Sequence, residues 1–382
     1  MLSGFYKTPE MTVGEKLAEV NWGLIALLAA IACVGFVMLY SAANGSLQPW
    51  ALRQMVRFAA GVVLLVGLAL VDLRFWLRYA YAIYGGALAL LVAVEIAGDI
   101  GMGAQRWISL GVLNLQPSEV MKVALIIVLA RYFHSLPESA EGRLRHLVWP
   151  ALLALVPAAL VLRQPDLGTA LMLLMIAAAM FFLAGVRLWK FGAALGAVVA
   201  AVPIAWHFLK DYQKNRILTF LDPETDPLGA GYHILQSKIA LGSGGMFGKG
   251  FMQGSQSHLN FLPEKQTDFI FTMLAEELGL VGGLTLLVLY ALVLVYGFSI
   301  AIRAQSHFGR LLALGVTVTF FLYVFINIAM VMGLVPVVGV PLPLISYGGT
   351  SMLTLLIGFG ILIGVNVHRD MVIGRSARMD AG

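Results

Sequence analysis

The chain has 382 residues, 60% of them hydrophobic and only 12% charged, with a mean hydropathy of +0.88 and a formal net charge of +5. A soluble protein carries about a quarter of its residues as charges, so this composition excludes a soluble globular enzyme. It points instead to an all-α polytopic membrane protein. The small positive balance fits basic residues gathered on one membrane face better than nucleic-acid binding, and the single cysteine, Cys33, rules out an intrachain disulfide.

About twenty mixed residues (1–21) precede the first apolar run, which is long enough to span and reads as a signal anchor rather than a cleaved signal peptide. Apolar segments long enough for a bilayer predict about ten helices, near 22–42, 54–71, 76–96, 118–134, 146–162, 167–184, 189–209, 268–302, 309–334 and 350–368. Alternate connections differ in Lys and Arg. One side holds fourteen, from Lys7 and Lys16 to Arg375 and Arg378, and the short loops of the other hold four, Arg53, Arg57, Arg106 and Arg163. By the positive-inside bias both termini, including the tail 369–382, are cytoplasmic, and the loops near 97–117, 163–168, 210–267 and 335–349 face outward. The whole chain reads as one integral membrane domain.

Polar clusters interrupt this pattern in chain order. In Gly103-Ala104-Gln105-Arg106-Trp107, Arg106 suits an interfacial anchor or a bidentate phosphate contact equally well. In Gln116-Pro117-Ser118-Glu119 with Lys122, Pro117 suits the first helical position, and Glu119 complements a helix N-terminus. Lys122 lies one turn deeper on the same face. An ionisable group there is functional by default, with a structural Glu119–Lys122 pair as the alternative. Asp166, in the turn Arg163–Gly168, is either a helix cap or a polar member of a site.

The 58-residue loop 210–267 is long enough to be functional or disordered. It carries Asp222-Pro223, Asp226-Pro227 and a predicted short helix from Tyr232 to Leu241, and it could fold back over the outer mouth of the bundle. Its glycine cluster, Gly242 to Gly250, resembles a phosphate-binding loop but fails the Walker A pattern, with Ser243 where Gly is required and Gly250 where Ser or Thr is required. The histidines show no metal-ligand spacing, and His258 reads as a surface residue. The helix that follows is too long. Asp268 to Arg303 would run about 50 Å, against a hydrocarbon core of about 30 Å. It must tilt, kink near Gly279, Gly282 and Gly283, or project, which sets Glu276 and Glu277 near the outer boundary, facing the outside, and Asp268 beyond it. Asp268, at the start of this helix, suits a helix N-cap. In the last outward loop, Pro341 to Ser351, the donors of Ser346, Gly348, Gly349, Thr350 and Ser351 fit either an oxyanion or sugar contact or a tight turn with a cap.

Four segments then carry a resemblance that covers essentially the whole chain. QPSEVMK, FLDPETDPLGAGYHILQSKIALGSGGMFGKG, LPEKQTDFIFTMLAEELGLVG and VVGVPLPLISYGGTS, in this order along the chain, are similar to the SEDS family of bacterial cell-wall polymerases, the last segment resembling its elongation-type members more than its division-type ones. Gln266 is a departure, since many relatives place His there.

The resemblance implies a peptidoglycan glycosyltransferase. It would polymerise lipid II into β-1,4-linked glycan at the outer face of the cytoplasmic membrane and release undecaprenyl pyrophosphate. It implies Asp268 as the essential aspartate, read here as general base. Lys122 with Arg106 would neutralise the pyrophosphate, and Glu119 would orient Lys122 or help bind a cation. Asp166 and the Ser346–Thr350 turn would shape the pocket. It also implies Mg²⁺ or Mn²⁺ dependence with no organic cofactor, and a class B penicillin-binding protein as partner beside lipid II, the undecaprenyl-linked glycan and membrane lipid. Two readings stay open: a lipid II flippase, which needs polar residues continuing to the cytoplasmic half, and a non-catalytic scaffold for a transpeptidase.

Overall fold

The computed structural model describes residues 11–97, 99–101, 104–109, 114–137, 144–208, 214, 230–258 and 264–374. The expectations for Lys7, Arg143, Asp222-Pro223, Asp226-Pro227, Arg375 and Arg378 lie outside these residues, as does the side chain of His258.

Helix α1 (Val13–Ala18) begins with a reciprocal capping box between Thr12 and Glu15. There follow α2 (Trp22–Ala42), α3 (Ala51–Ala69) and α4 (Leu73–Ala97). The connection after α4 is not plain coil. It holds three short antiparallel strands, β1 (Asp99–Gly101), β2 (Ala104–Ser109) and β3 (Asn114–Leu115), in the order β1-β2-β3. Helix α5 (Pro117–Ser135) starts with Pro at its first position, as the missing amide N–H there allows. Then come α6 (Val148–Arg163), α7 (Leu167–Leu183), α8 (Leu188–Phe208), α9 (Ala230–Ser243), α10 (Ser255–His258), α11 (Ile270–Arg303), α12 (His307–Val331) and α13 (Gly349–Val367).

Each of the ten predicted spans falls on one of these helices. Seven are long and apolar enough to cross a membrane by length and composition: α2, α3, α4, α6 with its preceding turn, α11, α12 and α13. Helices α7 and α8 contribute shorter apolar stretches, and α5 is set apart by Glu119, Lys122 and Arg131. Buried residues run all round α5 and α13, the pattern of helices enclosed by others. Helices α5, α12 and α13 therefore form the centre of the bundle, with α3 against α13 and α4 and α7 against α5.

The overlong helix resolves by kinking. Gly279 takes φ 68° and ψ −164° inside α11, a region essentially closed to other residues. A Cβ there would stand 2.3 Å from the Gly248 nitrogen. The glycine cluster 242–250 is the partner of this kink. Leu280 and Val281 N–H donate to the carbonyls of Gly245 and Met246, and Lys249 and Gly250 N–H donate to those of Glu276 and Glu277.

The kink also corrects the reading of the two glutamates, because the depth counted back along a straight helix does not apply. Both are fully buried. Glu276 accepts from Lys249 Nζ at 2.7 Å and from the Gln256 amide at 3.0 Å. Glu277 accepts from Ser41 Oγ at 2.6 Å and the Met252 amide at 3.1 Å. They fasten the long loop and α2 to the kink rather than face outward.

Candidate functional site

Asp268 sits in the turn 264–269 that leads into α11, and the backbone of this turn is held from three directions. Ser346 Oγ donates to the Thr267 carbonyl at 2.6 Å, Tyr347 N–H to the Gln266 carbonyl at 2.8 Å, and Asn327 Nδ2 to the Asp268 carbonyl at 2.9 Å. Asn327 also donates to the Val340 carbonyl at 2.7 Å, so one buried amide on α12 joins the turn to the loop before α13. The Asp268 side chain is half-buried. It lies beside Gly339, whose φ is +69° and whose notional Cβ would be 3.3 Å from Asp268 Oδ2.

Among the described residues no group donates a hydrogen bond to the Asp268 carboxylate. Its neighbours differ. Glu264 accepts from Gln266 and Thr267, and Asp166 from Thr169. Burial, and then the negative charges of Glu264 and Asp166, push the Asp268 carboxyl up to about 6 from an ordinary value near 3.8. Desolvation and like charge both disfavour the ionised form.

Lys122 and Glu119, on α5, form a closed buried network. Lys122 Nζ is 2.6 Å from Glu119 Oε1 and donates also to the Tyr323 hydroxyl. That hydroxyl donates to Glu119 Oε2 at 2.6 Å, where Thr354 Oγ1 approaches to 3.4 Å. Each Glu119 oxygen is thereby engaged inside the protein. Tyr323 stands one turn before Asn327 on α12, so a single helix face touches both the ion pair and the Asp268 turn.

Asp166 caps α7, accepting from the Thr169 amide at 3.1 Å and its hydroxyl at 2.9 Å. It lies 4.0 Å from Arg106 Nε and 3.4 Å from Gln116 Nε2. Arg106 donates to the carbonyls of Gln164 and Pro165 and so anchors strand β2 to this turn. The turn in turn packs on the loop before α13, since a Cβ on Gly168 would lie 2.1 Å from the Val338 carbonyl oxygen. Val338 and Gly339 are thus the bridge between Asp166 and Asp268, within range for their charges to interact.

In the last loop, the Ser346 hydroxyl is taken up by Thr267 and by the Leu342 amide, and the Thr350 hydroxyl by the Asn114 carbonyl. Gly348 is the N-cap of α13 and accepts from Ser351 Oγ. Gly349 packs against the Arg57 guanidinium, a Cβ there being 3.0 Å from Arg57 Cζ. These positions shape the site through backbone and packing, and their hydroxyls are not offered to a ligand.

Four contributors escape a reading from the sequence: Tyr323, Asn327, Thr354 and Arg57. The signal for Asn327 is an amide inside the apolar run FINIAMVMG, where a polar side chain must find a partner. Arg57 stacks over the Tyr347 ring at 5.3 Å and, among the described residues, pairs with no carboxylate. The described residues hold no group of three or more His, Cys, Asp and Glu side chains placed to bind a metal.

Residues 21–371 match the FtsW/RodA/SpoVE family model, described as cell cycle protein. The chain is 45% identical over 350 residues to the peptidoglycan glycosyltransferase MrdB of Escherichia coli, covering 91% of this chain and 94% of that protein. It is 32% identical to the peptidoglycan glycosyltransferase RodA of Treponema pallidum, covering 92% and 99%. Its fold is similar to a chain from a peptidoglycan synthase complex that coordinates polymerization and crosslinking, with a TM-score of 0.80, 35% identity and coverage of 92% and 98%. It is also similar to the crystal structure of the rod shape determining protein RodA of Thermus thermophilus, with a TM-score of 0.68, 31% identity and the same two coverages.

Proposed function

The chain belongs to the FtsW/RodA/SpoVE family, the SEDS polymerases, and from that premise we propose that it joins lipid II units into glycan with Asp268 as the general base. It is a peptidoglycan glycosyltransferase, the activity for which its relatives MrdB and RodA are named, and its place is in cell elongation. The 4-hydroxyl of an acceptor GlcNAc attacks the anomeric carbon of the MurNAc at the growing end. The new β-1,4 C–O bond forms as the bond to pyrophosphate breaks, the leaving oxygen takes the electron pair, and Asp268 takes the hydroxyl proton.

One observation carries this assignment. Asp268 is the carboxylate of the site whose oxygens no described group engages, while its backbone is fixed by its neighbours. A base needs an open lone pair, a fixed position and a pKa near working pH, and a value of about 6 fits.

The cations divide by availability. Lys122 is closed on Glu119 and Tyr323. Its charge sets the local field and the network supports α12, which in turn positions Asp268. Arg106, partly exposed, and Arg57 are the guanidiniums that remain to face the pyrophosphate. A divalent cation, Mg²⁺ or Mn²⁺, would neutralise the leaving group when bound. Such ions use one or two carboxylates plus substrate phosphates, so the lack of a three-residue cluster among the described residues is compatible with one. Glu119 is not a fitting ligand, because both its oxygens are engaged.

The partner is a class B penicillin-binding protein, in line with the synthase complex that this fold resembles. The termini are cytoplasmic and Asp268 is extracytoplasmic. The deciding experiment is polymerisation of labelled lipid II by purified wild type and Asp268→Asn, with folding checked by thermal melting. Product ladders of equal yield from both would remove Asp268 as base.

A further inference from the structure

At the end of the bundle away from Asp268, separated from it by the length of α13 or about 28 Å at 1.5 Å per residue, lies a cavity of about 480 Å³. That volume is in the range of small-ligand sites, roughly 300–1,000 Å³. Three stretches of chain build it: Lys16 and Glu19 around α1, Asp72 before α4 with Arg74 in its first turn, and His368 and Arg369 after α13.

The stretches are bonded to one another. Lys16 Nζ donates to the Leu70 carbonyl at 3.0 Å, Asn366 Nδ2 donates to the Glu19 carbonyl at 3.0 Å, and Arg369 Nη1 is 2.7 Å from Glu19 Oε2. The cavity is therefore a built feature and not a gap between loose ends.

Two features of its wall are left incomplete. The first is His368, which is 4% exposed, and whose Nδ1 lies 2.9 Å from the Gly364 carbonyl oxygen. A carbonyl only accepts, so Nδ1 carries the proton. Burial, the dominant effect, lowers the ring's pKa below its usual value, and Nε2 of the neutral ring is then a bare acceptor. Among the described residues that atom is buried with no partner. The second is Arg74, whose guanidinium has no carboxylate partner among the described residues. Lys16 spends one of its three donors on Leu70.

Arg74 and the two remaining donors of Lys16, beside an unused buried acceptor, suit a ligand with an anionic oxygen and, a few ångströms away, an N–H or O–H donor, and the carboxylates of Asp72 and Asp370 on the same wall suit a headgroup that carries an ammonium or hydroxyl as well. The rim says where such a ligand comes from. Exposed Trp22 and Phe75 stand at this end of the helices, beside exposed Val13 and Val372, and Trp and Phe are residue types that settle at headgroup depth. Met11, Val367 and Met371 give the cavity an apolar side.

We propose that this cavity is a binding site for one phospholipid headgroup bearing a phosphodiester and a hydrogen-bond donor, with Lys16 and Arg74 on the phosphate and His368 Nε2 receiving the donor. Phosphatidylethanolamine and phosphatidylglycerol share that chemistry, and phosphatidylcholine, whose quaternary ammonium has no hydrogen to donate, lacks it. The inference stands apart from the polymerase assignment, since none of its residues belongs to the Asp268 site.

The test is native mass spectrometry of the full chain ejected from nanodiscs holding equal parts of two lipids. Wild type should retain a single phosphatidylethanolamine or phosphatidylglycerol at least about tenfold over phosphatidylcholine, a difference of about 1.4 kcal/mol. His368→Leu should abolish the preference, and Arg74→Gln, an exposed change that leaves the fold intact, should lower retention of all three lipids severalfold, with lipid II polymerisation unchanged. Equal retention of phosphatidylcholine by wild type would overturn the proposal, as would an undiminished preference in His368→Leu or undiminished lipid retention in Arg74→Gln. Binding of soluble glycerophosphoethanolamine with no lipid retained would overturn the membrane source.

Discussion

The chemistry at Asp268 depends on a carboxylate kept open. Its pKa of about 6, raised by burial and by Glu264 and Asp166, has a definite sign in the pH profile. A base works ionised, so kcat/KM should rise with unit slope from about pH 5 and level off above about 6.5, other groups permitting. Glu264→Gln removes one of the raising charges and should move the midpoint to lower pH without abolishing polymerisation. An unmoved midpoint would detach the profile from Asp268. The same shift opposes stability. A carboxyl whose folded pKa lies above its unfolded value contributes stability that is fully present below pH 3.8 and lost as pH rises through about 6. Asp268→Asn should then melt no lower than wild type above pH 7 while losing about 10² to 10⁴ of its rate. Tyr323→Phe tests the neighbouring network. It deletes the hydroxyl between Lys122 and Glu119 Oε2 and should cost about 1–3 kcal/mol through the buried groups left short of a partner, read as a lower Tm. Asp268, Glu119, Lys122, Arg106 and Asp166 were legible in the sequence because each is an ionisable group at the edge of an apolar run. Tyr323 and Asn327 were not, because a tyrosine and a single amide do little to the hydropathy of α12, and only the packing shows what they touch.

Among the elements, α11 shows both the reach and the limit of sequence reasoning. Its length against the bilayer required a tilt, a kink or a projection, and Gly279, Gly282 and Gly283 marked where a kink would fall. What lies in the angle did not follow, because backbone-to-backbone pairing leaves no side-chain signature. The cluster Gly242 to Gly250, which mimics a phosphate loop, is small so that its carbonyls and amides can close on the α11 backbone at the kink. Gly248 sits so near that a Cβ would be 2.1 Å from the Glu277 carbonyl oxygen. Glu276 and Glu277 then tie this joint to Lys249 and Ser41, and the first turn of α11 carries the Asp268 loop. Gly279→Ala should therefore act on stability and activity together. Its backbone region costs other residues about 1–3 kcal/mol, and the 2.3 Å overlap with Gly248 adds to that. The expected result is a lower Tm, faster proteolysis between α9 and α11, and reduced polymerisation. Gly192→Ala on α8, where an added methyl meets nothing within 4 Å, should match wild type in all three.

Across the whole molecule, the ten-helix plan was legible because a run of about twenty apolar residues has one use in a polytopic chain. Which helices become the centre was not, because lipid-facing and protein-facing positions are equally apolar. That central packing bears on the rival reading of this chain as a lipid II flippase. A flippase must pass a sugar–pyrophosphate headgroup through the membrane along polar groups. Below the Glu119–Lys122 pair, the space between α5, α12 and α13 holds about 30 Å³, room for a water or two. Its deeper wall is Ile126, Val316, Phe320, Leu355 and Phe359. Within this space the ionisable groups Glu119 and Lys122 thus lie at one end, above a mostly apolar wall with little room, an arrangement for chemistry on a headgroup already at that face. Vesicles reconstituted with the protein and labelled lipid II in both leaflets test this directly. The outer-leaflet fraction should be polymerised, and the inner-leaflet fraction should stay inaccessible at the rate of protein-free vesicles. Entry of the inner pool into product, at a rate proportional to protein and blocked by Phe320→Trp filling the core, would show a path through the bundle that this packing excludes.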